Sequence, residues 1–241
     1  MNEGWLLLAG LFAGFIDSIL GGGGVITLPA LLGTGMPPHA AIATNKVVGT
    51  GASSIATLNY TRAGLTSRLA WKLWPLSAGV AALGAWAVLG VEARFVQWLA
   101  LGVVGALAVY VLFAPDFAKV RRARHVAWLI GGAVVIALYD GALGPGTGNL
   151  LLALWVFAGG LPMLQAAASG RVLNFASNVG ALAFWATTGL IDWCLGLFMA
   201  IGTAAGGWLG SRSNIKTEAK WVRPLFVVVA VALLVRAVWT A

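Results

Sequence analysis

Apolar residues run through this chain in long blocks separated by short polar or glycine-rich interruptions. Six blocks, roughly 39–60, 71–90, 95–113, 165–187, 193–210 and 221–239, are long enough for a helix rising 1.5 Å per residue to cross the hydrocarbon of a bilayer. Two further apolar regions are broken. Residues 5–33 are interrupted by Gly21-Gly22-Gly23-Gly24, and residues 126–158 by Gly144-Pro145-Gly146-Thr147-Gly148. Their second arms, 25–33 and 148–158, would extend only about 14–17 Å as helices. Neither arm can cross alone.

Composition turns these blocks into a membrane protein. Of 241 residues, 60% are hydrophobic and 9% charged, and the mean hydropathy is +0.92. Soluble domains carry about a quarter of their residues as charges, so a water-soluble body, a disordered chain and a nucleic-acid binder are all excluded. The net charge of +8 reports orientation, because the basic residues gather between apolar blocks. The start, Met1-Asn2-Glu3-Gly4-Trp5, lacks a basic signal-peptide n-region, and the first apolar run is expected in the mature protein.

The broken regions belong to an internal repeat. Asp17 and Asp140 each stand four residues before the first glycine of a break. Lys46 precedes Gly64-Leu65 by 18 residues, and Arg171 precedes Gly189-Leu190 by the same 18. A single membrane domain, 1–241, therefore contains two copies of one unit, about 1–115 and 120–241. If each break is a re-entrant hairpin, each copy has three crossings and the copies are inverted. The loops 62–72, 115–125 and 211–223 then share one side with three, four and four Lys or Arg, eleven together. The opposite side holds Arg94 and Arg236. The positive-inside rule selects this arrangement, with both termini extracytoplasmic. The predicted fold is an all-α polytopic membrane protein of two inverted repeats, each a glycine-broken re-entrant helical hairpin plus three transmembrane helices, an architecture of transporters.

Outside the loops, Asp17, Lys46, Asp140 and Arg171 remain at membrane depth, where an ionisable group costs about 2.5–3.5 kcal/mol on insertion scales. One reading is structural: each acid pairs with the base of its own copy, Asp17 with Lys46 and Asp140 with Arg171, pinning hairpin to next helix. The functional reading is a charge-lined pathway. Lys46, Gly49, Thr50, Ser53, Thr57 and Tyr60 form a polar stripe at helical spacing, matched by Arg171, Asn174, Ser177 and Asn178. Such faces line cavities or bond to neighbouring helices. Around the breaks, Gly23, Gly24, Gly146, Thr147 and Gly148 would present first-turn amides of a returning helix, an anion-binding feature. They equally suit a tight turn. Asn45 beside Lys46 adds a hydrogen-bonding amide.

The remaining features read as structure. Gly202, Gly206 and Gly210 make a small-residue face for close helix packing, with Ser77, Ala81 and Ala85 as the milder counterpart. His39 and His125 lack metal-ligand spacing, so no metal is expected, and no cofactor motif is present. The single cysteine, Cys194, is expected to be a buried, inert thiol. Asn59-Tyr60-Thr61 matches a glycosylation acceptor but falls at a helix end assigned to the cytoplasmic side. The twelve tryptophans fit an interfacial belt.

Several stretches together resemble the TauE/SafE family of anion exporters, in particular its YfcA-like branch. These are Ala43-Thr44-Asn45-Lys46, Tyr139-Asp140-Gly141 with Gly144-Pro145-Gly146-Thr147-Gly148, Asn174-Phe175-Ala176-Ser177-Asn178, and Val222-Arg223-Pro224-Leu225. The resemblance runs over essentially the whole chain. It implies a multipass protein of the prokaryotic inner (cytoplasmic) membrane that exports sulfite, organosulfonates or related sulfur oxyanions. Ser169-Gly170-Arg171 departs from the branch, which commonly shows threonine and lysine there; Arg keeps the charge and adds bidentate oxyanion geometry. On this reading the partners are a small anionic substrate and the lipid bilayer, with no nucleic acid, and a homo-oligomer is compatible. Substrate binding falls to Asn45, Lys46, Arg171, Asn174, Ser177, Asn178 and the hairpin glycines with Thr147. Asp17 and Asp140 hold the bases or couple protons, and Ser53, Thr57 and Tyr60 line the cavity. The alternative is a proton or cation pathway through Asp17 and Asp140. An intramembrane enzyme is the weakest reading, because no nucleophile–base or metal constellation occurs.

Overall fold

The computed structural model describes residues 4–113 and 125–217. The expected crossing at 221–239, the basic loop Lys119 to Arg124 and the Val222-Arg223-Pro224-Leu225 stretch lie outside the described residues. Among the described residues the chain is entirely helical: α1 (Gly4–Leu20), α2 (Gly24–Leu32), α3 (Pro38–Arg62), α4 (Arg68–Leu89), α5 (Ala93–Phe113), α6 (Val126–Ala142), α7 (Thr147–Phe157), α8 (Met163–Trp185) and α9 (Trp193–Thr217).

Local chemistry sets the boundaries. Pro37 and Pro162 sit at the N-caps of α3 and α8 in extended conformation, where a missing N–H costs nothing. Gly64, at φ 71°, ends α3 with the Leu65 N–H donating back to Tyr60 O at 3.1 Å, a left-handed closure that glycine tolerates best. The Ser67 hydroxyl caps α4 by accepting from Leu69 N–H at 3.2 Å.

α4 and α9 are each long and apolar enough to cross a membrane by themselves. α3 and α8, at 25 and 23 residues, are long enough too, but buried polar positions dilute their hydropathy. The surface is correspondingly inverted. Large apolar side chains such as Trp128, Val135, Ile201, Leu83 and Trp86 face outward, while Lys46, Arg171, Asp140 and Asn174 are buried. A lipid surround suits such a distribution.

Small residues hold the bundle together at close range. A Cβ on Gly206 would lie 1.9 Å from Leu11 O, and one on Gly210 2.3 Å from Phe15 O, so α9 packs backbone-to-backbone on α1. The expected glycine face of α9 does this. Its counterpart on α4 receives glycines: a Cβ on Gly141 would meet Ala81 O at 1.9 Å, and one on Gly180 would meet Ala78 O at 1.9 Å. α4 thus lies on α6 and α8 as α9 lies on α1 and α3.

In both broken regions the ends come together. The N–H of His125, before α6, donates to Ala158 O, after α7, at 2.8 Å. Trp5 and Leu6 in the first turns of α1 share a cavity with Gly33 to Pro37 after α2. Cys194 lines that cavity and is exposed, contrary to the buried thiol expected. It sits in the first turn of α9, beyond the face that α1 and α3 cover. Asn59 donates to Ser211 Oγ at 2.8 Å.

Candidate functional site

The site forms where the two glycine breaks abut between α3 and α8. A Cβ on Gly24 would stand 3.1 Å from Pro145 Cα, and one on Gly21 2.2 Å from the Gly148 carbonyl carbon. Only side-chain-free backbone can approach this closely. Lys46 and Arg171 are each the ninth residue of their helix, about 12 Å from its start at 1.5 Å per residue.

The pairing of charges corrects the expectation drawn from sequence. Lys46 does not pair with Asp17; its Nζ donates to Asp140 Oδ1 at 2.9 Å and to the Asp140 main-chain O. Arg171 does not pair with Asp140; its Nη1 donates to Asp17 Oδ2 at 2.7 Å and to Asn174 Oδ1 at 3.2 Å. Because the tips meet, each base reaches across to the carboxylate of the facing break. Lys46, Asp140 and Arg171 are 1–2% exposed and Asp17 8%, and unpaired charges at such depth would be prohibitive.

Both oxygens of each carboxylate accept from protein donors, and the donors differ. Asp17 Oδ1 accepts from the Gly22 and Gly23 amides at 3.0 and 2.8 Å, so these tip amides serve an internal acid. Five residues after Asp140 stands Pro145, which has no N–H. There Asp140 Oδ2 accepts instead from the Ser177 hydroxyl and from Asn174 Nδ2 at 3.3 Å. Counting from the bases, the position matching Ser177 is Ala52. A hydroxyl appears where the amide is missing.

Between these groups lies a cavity lined by Asp17, Gly23, Gly24, Asn45, Lys46, Asp140, Gly146, Thr147, Gly148, Asn174 and Asn178, eleven of the residues expected from sequence. The space open to water centres is about 30 Å³, room for roughly two waters. Arg171 and Ser177 stand behind this lining, gripping Asp17 and Asp140. Ser53, Thr57 and Tyr60, expected to line the cavity, are not in its wall. Ser53 donates to Gly49 O at 2.7 Å; Tyr60 donates to Ser18 O at 2.7 Å and accepts from Asn214 Nδ2 at 2.8 Å. They continue the stripe away from the centre: Ser53 turns back on its own helix, the buried Thr57 hydroxyl has no partner among the described residues, and Tyr60 ties α3 to α1 and α9.

Several contributors escaped the sequence reading. Gly22 supplies an amide, and Gly144 and Thr203 join the wall beside Gly49 of the polar stripe. The Thr27 hydroxyl donates to Asn45 Oδ1, leaving Asn45 Nδ2 toward the cavity without an acceptor among the described residues. Thr27 is the one polar side chain of α2, a signal that could have found it. The Gly24 and Gly148 amides, in the first turns of α2 and α7, also have no acceptor among the described residues, as first-turn amides lack intrahelical partners. No group of three or more His, Cys, Asp or Glu positioned for a metal occurs among them.

Two matching hydrogen bonds flank the centre. Thr44 Oγ1, two residues before Lys46, accepts from Asp192 N–H at 3.0 Å. Ser169 Oγ, two before Arg171, accepts from Ser67 N–H at 3.0 Å. They anchor α3 and α8 to segments near opposite ends of α3.

An inside-out helical bundle with paired charges and broken helices at its centre is the construction of a polytopic membrane transport protein. The profile of the family described as sulfite exporter TauE/SafE matches residues 6–237. The chain belongs to the TauE/SafE family of membrane transporters. It is 37% identical over 238 residues to the probable membrane transporter protein ORF9 of a Sinorhizobium species, covering 96% of this chain and 90% of that one. It is 34% identical to the probable membrane transporter protein YfcA of Escherichia coli K12, covering 95% and 87%. To a probable membrane transporter protein of Haemophilus influenzae it is 32% identical, covering 97% and 93%. No solved structure matches it.

Proposed function

We propose that this protein is a secondary transporter that exports small oxyanions, sulfite or organosulfonates among them, across the cytoplasmic membrane. One observation carries the choice of an anion. Every carboxylate oxygen at the centre already accepts from a protein donor. The unused polar groups of the wall are mostly N–H donors, Asn45 Nδ2 and the Gly24 and Gly148 amides, against one side-chain amide acceptor, Asn178 Oδ1, that accepts from no described residue. Lys46, with three N–H bonds and two acceptors used, keeps one to offer. A cation would find no free carboxylate oxygen. The sulfite-exporter description of the family agrees with this donor set.

The transport architecture we infer is the inverted repeat. Each α1–α2 and α6–α7 pair would be a re-entrant hairpin, supported by the meeting of its ends and by an arm of only 9 or 11 residues. Left-handed glycines recur at matching places, Gly21 with Gly144, Gly35 with Gly160 and Gly64 with Gly189. In this topology Arg62, Arg68, Lys72 and Lys216 fall on one face, consistent with a cytoplasmic one and with extracytoplasmic termini. The centre is narrow, with about 30 Å³ open to water centres, and separation of the hairpin tips would widen it for entry and release.

The test is reconstitution in proteoliposomes with sulfite, methanesulfonate, thiosulfate and simple cations offered in parallel. Uptake of a sulfur oxyanion that disappears in Lys46→Gln supports the reading. Uptake of cations with no anion moved would replace it with a pathway through Asp17 and Asp140.

A further inference from the structure

The two buried ion pairs differ in a way that assigns them different tasks. Asp17 is held by three donors: the Gly22 and Gly23 amides at the hairpin tip, which have no other acceptor, and the Arg171 guanidinium, which also donates to Asn174 Oδ1. A proton added to Asp17 would strip one of them of its acceptor and leave it buried, which is expensive. Asp140 receives no amide: Pro145, in the place of Gly22, has no N–H, and Gly146, in the place of Gly23, makes no bond to it. Its Oδ2 is kept by Ser177 and Asn174, and its Oδ1 by Lys46 alone. Lys46 also holds the Asp140 main-chain O, so it can surrender Oδ1 and stay tethered in place.

Charge balance supplies the reason for a proton. Lys46, Arg171, Asp17 and Asp140 sum to zero at the bilayer centre. A monoanion bound there would leave a net negative charge in a medium that penalises it heavily. One added proton restores neutrality.

We propose that Asp140 carries a proton together with each anion, and that Asp17 is a fixed carboxylate that positions Arg171. This rests on the anion reading above. As the anion takes the Lys46 ammonium, the Lys46–Oδ1 ion pair breaks and Oδ1 binds a proton from water. As the anion leaves, Lys46 returns to Oδ1 and the proton departs on the same side. One anion and one proton move together, with no net charge. The charged and titratable groups around Asp140 are Lys46 on α3, the neighbouring Tyr139, whose hydroxyl donates to Pro145 O, and, beyond Asn174, the Arg171–Asp17 pair; α8 contributes the neutral donors Asn174 and Ser177. On α4, which packs against α6, the charged residues Arg68 and Lys72 lie in the first turns, far along the helix from the Ala81 contact.

The experiment uses the full chain in proteoliposomes containing a trapped pH-sensitive dye. An outward gradient of methanesulfonate, which stays ionised throughout the pH range used, is applied, and sulfite counterflow is measured separately. In the wild type, anion efflux should carry protons with it. Asp140→Asn should slow anion counterflow and bring the protons moved per anion to zero, with no response of the remaining flux to an imposed pH gradient. Asp140→Glu should restore both. Asp17→Asn should lose counterflow and proton movement together. Proton movement surviving in Asp140→Asn, or uncoupling caused by Asp17→Asn instead, overturns the assignment.

Two failures are distinguishable. Anion flux without protons in the wild type removes this proposal and leaves the anion reading standing; absence of any anion flux removes both. If Asp140→Asn does not accumulate in membranes, Ser177→Ala serves, because it withdraws one donor from Oδ2 and leaves the ion pair. Its pH for half-maximal uptake should move from that of the wild type, and an unmoved midpoint overturns the proposal.

Discussion

Lys46, in the first half of the chain, is bonded at 2.9 Å to Asp140 in the second, and the reciprocal bond joins Arg171 to Asp17 at 2.7 Å. The halves are therefore tied at their centre by crossed ion pairs. Removing one partner of a buried pair typically costs about 3–5 kcal/mol, because the other charge is stranded. A double-mutant cycle on thermal stability in detergent should find coupling of about 0.5–3 kcal/mol between Lys46→Gln and Asp140→Asn, and again between Arg171→Gln and Asp17→Asn. Lys46→Gln with Asp17→Asn, linked only through Asn174 and the shared cavity, should couple more weakly than either direct pair. Coupling in that last cycle alone would contradict the crossed arrangement.

The same doubles separate stability from transport. Joint neutralisation of Lys46 and Asp140 should recover much of the stability lost in either single variant. Anion uptake should nevertheless stay absent, since no ammonium remains to meet the oxyanion. Near-normal uptake by this double variant would reduce the pair to a structural tie.

Glycine substitutions divide by what a new Cβ would touch. Gly148→Ala would place carbon 1.8 Å from Arg171 Nη2, and Gly206→Ala 1.9 Å from Leu11 O. The first should abolish uptake by displacing the guanidinium; the second should prevent α1 and α9 from packing and sharply reduce folded yield. Gly79 and Gly131 face open space. Alanine there should be tolerated, with stability unchanged or raised by up to about 1 kcal/mol through helix propensity. Size-exclusion profiles and melting curves of the four variants would show whether this ranking holds.

Cys194 offers a topology test without mutagenesis. It is the one cysteine of the chain, exposed in a cavity of about 560 Å³ beside Trp5 and Asp192. With an extracytoplasmic N-terminus, this cavity opens outward. A membrane-impermeant maleimide should label Cys194 in intact spheroplasts as fast as in broken ones. Labelling confined to broken membranes would reverse the orientation.

The paired hydroxyl bonds near the centre should fail one at a time. Thr44→Val should speed hydrogen exchange at the Asp192 amide and leave Ser67 unchanged; Ser169→Ala should do the opposite. Each loss should amount to about 1 kcal/mol. Simultaneous loosening of both amides in either variant would mean that the two ends of α3 are not held separately.

Much of this protein is written locally. Apolar blocks of membrane length, the two glycine breaks, the depth of Lys46 and Arg171 along their helices and the small-residue face of α9 all follow from spacing, because helix rise and periodicity convert sequence number into depth and face. Asn45, Asn174 and Asn178 could be assigned to polar faces for the same reason. Spacing does not say which helix stands opposite a face. The aspartates were therefore expected to serve the bases of their own halves, and only the meeting of the two tips, made possible by glycine at Gly21, Gly24 and Gly148, crossed the pairs. The competition for amides was equally hidden: Asp17 takes Gly22 and Gly23, whereas Pro145 denies Asp140 the same support and leaves it to Ser177. Tertiary packing also carried Ser53, Thr57 and Tyr60 out of the cavity wall and left Cys194 in the open. Sequence by itself determined that charged and donor groups would be buried inside an apolar bundle, since a charge amid long apolar runs is too costly to be incidental. Which acid neutralises which base, and how little room remains between them, was decided by long-range contact between the two halves.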